Sequence, residues 1–106
     1  MKKEKLIDNI LESIENNTET FDNLSLQIGS VIVVVYHNTG SWDIWRWFWS
    51  GATNSRLGNE QKNINTNAVK DYLMENIRTD YDLDKLKECN DKMLTNPKEM
   101  LYFNKF

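Results

Sequence analysis

The sequence predicts an α+β fold, a small antiparallel sheet of two or three strands with three helices packed mainly on one face, in the order α-β-β-(β)-α-α. Three observations carry this expectation. Apolar residues recur at helical spacing in three separate segments, a β-branched run and an aromatic run flank a glycine turn, and the helical segments lie outside the β-rich middle instead of alternating with it.

In the first segment Leu6, Ile7, Ile10, Leu11 and Ile14 follow the i, i+3, i+4, i+7 rule of an amphipathic helix over Lys3 to Glu15. Asn16, Asn17 and Thr18 end it, because short polar side chains bond to the nearby backbone in competition with helix. From Leu24 to Tyr36 the chain becomes β-branched through Val31, Ile32, Val33, Val34 and Val35, which predicts one strand covered on both faces. His37-Asn38-Thr39-Gly40 supplies turn chemistry, and a second strand, Ser41 to Ser50, returns antiparallel.

Residues 51–65 are polar, with Gly51 and Gly58, and read either as a loop hiding a third strand near Arg56 to Lys62 or as a mobile binding loop. Thr66 or Asn67 then caps a second helix marked by Ala68, Val69, Tyr72, Leu73 and Ile77 and ending near Arg78. Leu83, Leu86, Cys89 or Asn90, Met93 and Leu94 mark a third, capped by Asp82 and closed before Pro97. The tail, with Met100, Leu101, Tyr102, Phe103 and Phe106, is apolar enough to dock on the core.

A chain of 106 residues can bury one core but not two, so residues 1–106 are read as a single domain. Thirteen Lys plus Arg against sixteen Asp plus Glu leave a net charge of −3, too little positive charge for a protein that tracks phosphates, so direct nucleic-acid binding is disfavoured. A lone cysteine, Cys89, excludes an internal disulfide and any multi-cysteine zinc site, which points to the cytoplasm. No signal-peptide core follows the basic start, and the longest apolar run, Val31 to Tyr36, is too short to span a bilayer. The excess of Lys over Arg and the abundant Asn fit an AT-rich, low-GC genome.

Alternation in the aromatic strand sets Asp43, Trp45, Trp47 and Trp49 on one face and Trp42, Ile44, Arg46 and Phe48 on the other. The three indoles are expected to line the core. Arg46 is costly to bury without a partner, so its face is expected near solvent, which makes Trp42, Arg46 and Phe48, with Tyr36 beside them, a candidate partner-binding surface.

Catalytic patterns are weak, and the chain is read as a non-enzyme without cofactor or metal. His37 belongs to the turn, and Cys89 behaves as a small hydrophobe on an apolar stripe. Asp80, Asp82 and Asp84 echo a calcium loop, but Lys85 stands where that loop needs glycine. Asp43 followed by Glu60-Gln61-Lys62 is similar to the Asp…Glu-x-Lys arrangement of metal-dependent nucleases, on a segment too polar for that family's strand.

A compact acidic chain with elements over Leu6 to Glu15, Leu26 to Ser50, Ala68 to Arg78 and Leu83 to Leu94 resembles the small anti-CRISPR inhibitors that phages of low-GC bacteria carry against Cas9. The resemblance lies in element order and composition. It implies a non-enzymatic inhibitor that binds a bacterial defence effector stoichiometrically, with Asp80, Asp82 and Asp84 as acidic contacts. The alternatives are a small-molecule-binding sponge or homo-oligomer built on the aromatic sheet face, an immunity protein or antitoxin, and, remotely, the nuclease.

Overall fold

The computed structural model describes residues 2–16, 23–51, 54–95 and 102–103. Along the chain run α1 (Lys3–Asn16), β1 (Asn23–Ile28), β2 (Ile32–His37), β3 (Trp42–Ser50), β4 (Asn54–Ile64), α2 (Thr66–Asn76), α3 (Asp80–Thr95) and the short β5 (Tyr102–Phe103). The strands form one sheet in the order β4-β3-β2-β1-β5, and every neighbouring pair is antiparallel. The fold is therefore α+β, with a larger sheet than the sequence predicts.

Two segments account for the extra strands. The stretch read as one strand from Leu24 to Tyr36 is a hairpin, folded back at Gly29, whose φ of +68° lies in the left-handed region that glycine adopts without strain. In β1 the apolar residues alternate, with Leu24, Leu26 and Ile28 in the core and Gln27 exposed. The polar stretch after Gly51 holds β4, so of its two readings, a strand near Arg56 to Lys62 or a mobile loop, the strand is the one found, and it is longer. Its polarity follows from its place at the sheet edge, where most of its residues meet water. Of the tail, Tyr102–Phe103 lie beside β1, while Met100, Leu101 and Phe106 fall outside the described residues.

The core lies between the helices and one face of the sheet. Leu6, Ile7, Ile10, Leu11 and Ile14 of α1 pack with Val69, Leu73 and Ile77 near α2 and Leu86, Cys89 and Met93 of α3, over Leu24, Leu26, Ile32, Val34, Trp42 and Ile44. Each such side chain contributes about 1.5–3 kcal/mol by leaving water. The opposite face is also dry at its centre, with Val35 at 0% and Val33 at 6% exposure, as the unbroken apolar run predicts.

Polar contacts set the helices in place. Lys3 Nζ donates to the carbonyls of Met74 (2.7 Å) and Ile77 (2.8 Å), putting a cation where the last turn of α2 leaves carbonyls unpaired. Lys70 of α2 reaches Glu4 and Asp8 of α1, and these hydrogen bonds raise its pKa. The cap of α2 is Asn65, not Thr66 or Asn67, its side chain accepting from Ala68 N at 2.9 Å. Thr79, not Asp82, caps α3: its hydroxyl lies 3.1 Å from Asp82 N and accepts from it. Among the described residues no helix is long and apolar enough to cross a membrane.

Candidate functional site

Alternation along β3 groups the residues as the sequence predicts, but the faces are exchanged. Trp42 and Ile44 are at 0% exposure beneath the helices, and Arg46 lies on the same side, half-buried under α2. Arg46 Nη1 donates to Tyr72 Oη (3.1 Å) and to Asn76 Oδ1 (3.4 Å). Asn76 is oriented for this by donating its own Nδ2 to Tyr72 O at 2.8 Å. The expectation that Arg46 must face water overlooked neutral acceptors on a helix that can satisfy a guanidinium at the core's margin.

Trp42 is therefore a core residue and not a contact residue. Its indole N–H donates to Thr66 Oγ1 (3.1 Å), and Thr66 donates on to Glu15 Oε1 (2.8 Å), joining β3, α2 and α1. Tyr36 packs on Trp42 with ring centroids 4.5 Å apart. Burial, with the Glu15 charge adding to it, raises the Tyr36 pKa above its ordinary value. Of the four residues proposed for the partner surface, only Phe48 is strongly exposed, at 50%.

The indoles assigned to the core face outward instead. Trp45 and Trp47 are half-buried and Trp49 is 75% exposed. Trp47, Phe48 and Trp49 line a cleft of about 400 Å³ with Gln27, Ser30, Val31 and Ser55, where the β1–β2 turn meets the end of the β3–β4 hairpin. Trp47 N–H donates to Val31 O at 2.8 Å, fixing the turn against the strand. An indole this exposed keeps a large apolar area uncovered by the described residues.

The acidic trio does not form one surface. Asp80 and Asp84 are exposed, whereas Asp82 lies against the β1–β2 turn, its Oδ1 accepting from Ser30 Oγ at 3.4 Å. A Cβ added at Gly29 would stand 3.0 Å from the same oxygen, so Asp82 contacts the turn that needs glycine for its φ as well.

At the other end of the sheet, a cleft of about 450 Å³ is lined by His37, Asp43, Trp45 and Lys62 among others. His37 Nδ1 lies 2.8 Å from Asn23 Oδ1, and its Nε2 lies 2.9 Å from Asp43 Oδ2. Asp43 Oδ1 accepts from Asn63 N at 2.9 Å, at a bulge where Asn63 takes a φ of +52°. Both ring nitrogens are thus held by an amide and a carboxylate, not by a hydroxyl or thiol, an arrangement that ties β1, β2, β3 and β4 together. The sequence contained its signal: with the turn at His37–Gly40, residues 37 and 43 are diagonal neighbours on one sheet face.

Asp43 and Lys62 share this cleft, but Glu60 is exposed at a separate bulge and does not line it. Among the described residues no three His, Cys, Asp or Glu side chains gather closely enough to hold a metal ion. Cys89 is buried, and that burial pushes its thiol pKa up to about 12, away from the thiolate that reaction requires.

Comparison with family models, with curated proteins and with solved structures finds no match to this chain.

Proposed function

We propose that the chain is a non-enzymatic inhibitor acting by stoichiometric protein binding in the cytoplasm, as an anti-defence protein of the anti-CRISPR kind would in a low-GC bacterium. The observation that carries this reading is the aromatic cleft at the end of the β3–β4 hairpin, with Trp49 75% exposed beside Trp47. Rigid aromatic area of this kind binds a protein with little entropy loss. The most reactive side-chain types support it too: His37 is held at both nitrogens and Cys89 is buried.

The test is a titration of the purified chain into a Cas9-type effector from a low-GC host, read by DNA cleavage. Support would be loss of cleavage at an equimolar endpoint, together with a half-inhibiting concentration at least about tenfold higher for Trp49→Ala. Unimpaired cleavage at excess chain removes that effector as the target. Equal potency of Trp49→Ala and wild type removes the cleft as the contact surface.

A second reading, a small-molecule sponge, is favoured by the His37 end, where a cleft of about 450 Å³ has Trp45 and Lys62 in its walls. That volume suits a small ligand, with an indole to stack on and a cation to pair. A thermal-shift screen of small anionic aromatic compounds tests it, and stabilisation that survives Lys62→Ala would count against this site.

A further inference from the structure

β4 is the outer strand of the sheet, with β3 as its only sheet neighbour among the described residues. The direction of its backbone groups follows from two hydrogen bonds of β3. Trp47 N–H donates to Val31 O and His37 N–H to Ser41 O, so odd-numbered residues of this strand turn their backbone toward β2 and even-numbered ones toward β4. The pairs Arg46–Gly58 and Phe48–Arg56 then point the backbones of Gly58 and Arg56 inward, at β3. Ser55, Leu57 and Asn59 must point theirs outward, away from the sheet.

From this edge we propose that two copies of the chain join antiparallel through β4, about a two-fold axis at Gly58, into one continuous sheet. Only registers that oppose odd residues to odd residues can pair the outward groups. Charge chooses among them. Centring on Gly58 sets Leu57 opposite Asn59 and brings Arg56 across from Glu60 of the second copy, the residue at which the regular ladder ends, on both sides of the axis. Centring on Asn59 would carry Arg56 past the bulge at Glu60 toward Lys62 of the second copy, and centring on Leu57 would set it against glycine. Arg56 and Glu60 are exposed, and neither takes part in an ion pair among the described residues.

The apolar contact agrees with the same axis. A Cβ built on Gly58 would stand 2.6 Å from Phe48 Cε1, so the Phe48 ring lies over this glycine, and half of the residue is still exposed. Two Gly58 residues meeting at the axis form a trough without side chains, across which the two Phe48 rings close. Bulges beyond Asn59 distort the rest of the strand, which confines the ladder to the stretch around Gly58. The surface adjoins the Trp47–Trp49 cleft, which Phe48 and Ser55 also line, and the dimer sets two such clefts on one side of the joined sheet.

Sedimentation equilibrium of the purified chain, with circular dichroism as the folding control, tests the proposal. Wild type is expected to dimerise, Glu60→Arg to raise the dissociation constant roughly tenfold to hundredfold by turning both ion pairs into repulsions, and the swap Arg56→Glu with Glu60→Arg to restore it to within about threefold. A wild type monomeric at about 100 μM overturns the proposal. So does a dimer indifferent to Glu60→Arg, or a folded double variant that stays as weak as the single one.

Discussion

Trp42 and Trp49 belong to one strand and one residue type, yet truncating them to alanine should have opposite consequences. Trp42 is at 0% exposure, packs against Tyr36 and donates to Thr66, so Trp42→Ala leaves a cavity and takes from the Thr66 oxygen the indole donor it accepts from. A buried aromatic truncated in this way costs about 3–5 kcal/mol, a large share of the roughly 5–15 kcal/mol that holds a domain of this size together. Trp49 is 75% exposed, and Trp49→Ala should stay within about 0.5 kcal/mol of wild type. Urea unfolding followed by far-ultraviolet circular dichroism measures both, since it does not depend on the indole being replaced. Loss of stability in Trp49→Ala with little in Trp42→Ala would refute the facing of β3, because a slip of one residue moves every side chain to the other side.

Arg46→Met should lose about 1–2 kcal/mol in the same assay, since the bonds to Tyr72 and Asn76 go while the aliphatic packing remains; a change within about 0.3 kcal/mol would place Arg46 in solvent. Gly58→Ala should push the Phe48 ring aside at a cost below about 1 kcal/mol, seen as a shift of the Phe48 ring resonances by NMR. Iodoacetamide at about pH 8 should leave Cys89 unlabelled in the native chain and label it on unfolding, and rapid native labelling would contradict its burial. Tyr36 has a folded pKa raised above 10.0, so its contribution to stability is fully present below that value and is lost as pH rises through the folded one. Tyr36→Phe should therefore soften the alkaline fall in urea midpoint, and an unchanged fall would remove Tyr36 as a cause.

The fold class was legible because hydrophobic period survives in each helix and because the β-branched run with its glycine turn admits little but a hairpin. Strand number was not. In β1 Leu24, Leu26 and Ile28 alternate with Ser25 and Gln27 just before the valine run, and only the left-handed φ of Gly29 separates the two strands. In β4 the edge position removes the apolar signal that marks a central strand. The site was half legible. Alternation divided the tryptophans correctly, but deciding which half faces the helices required Tyr72 and Asn76, far along the chain, to be known as acceptors for Arg46. Charge alone put that arginine in water. Asp82 was likewise read as a cap from its place before an apolar stripe, whereas Thr79 holds that role and Asp82 contacts the β1–β2 turn.

Hydroxyl-radical footprinting of the four tryptophans, in the free chain and in the presence of the Cas9-type effector proposed as its target, tests the contact surface most directly. In the free chain Trp49 is expected to oxidise fast and Trp42 to be protected, with Trp47 and Trp49 becoming protected in the complex. Oxidation of Trp42 as fast as that of Trp49, or a Trp49 equally reactive free and bound, would contradict this expectation.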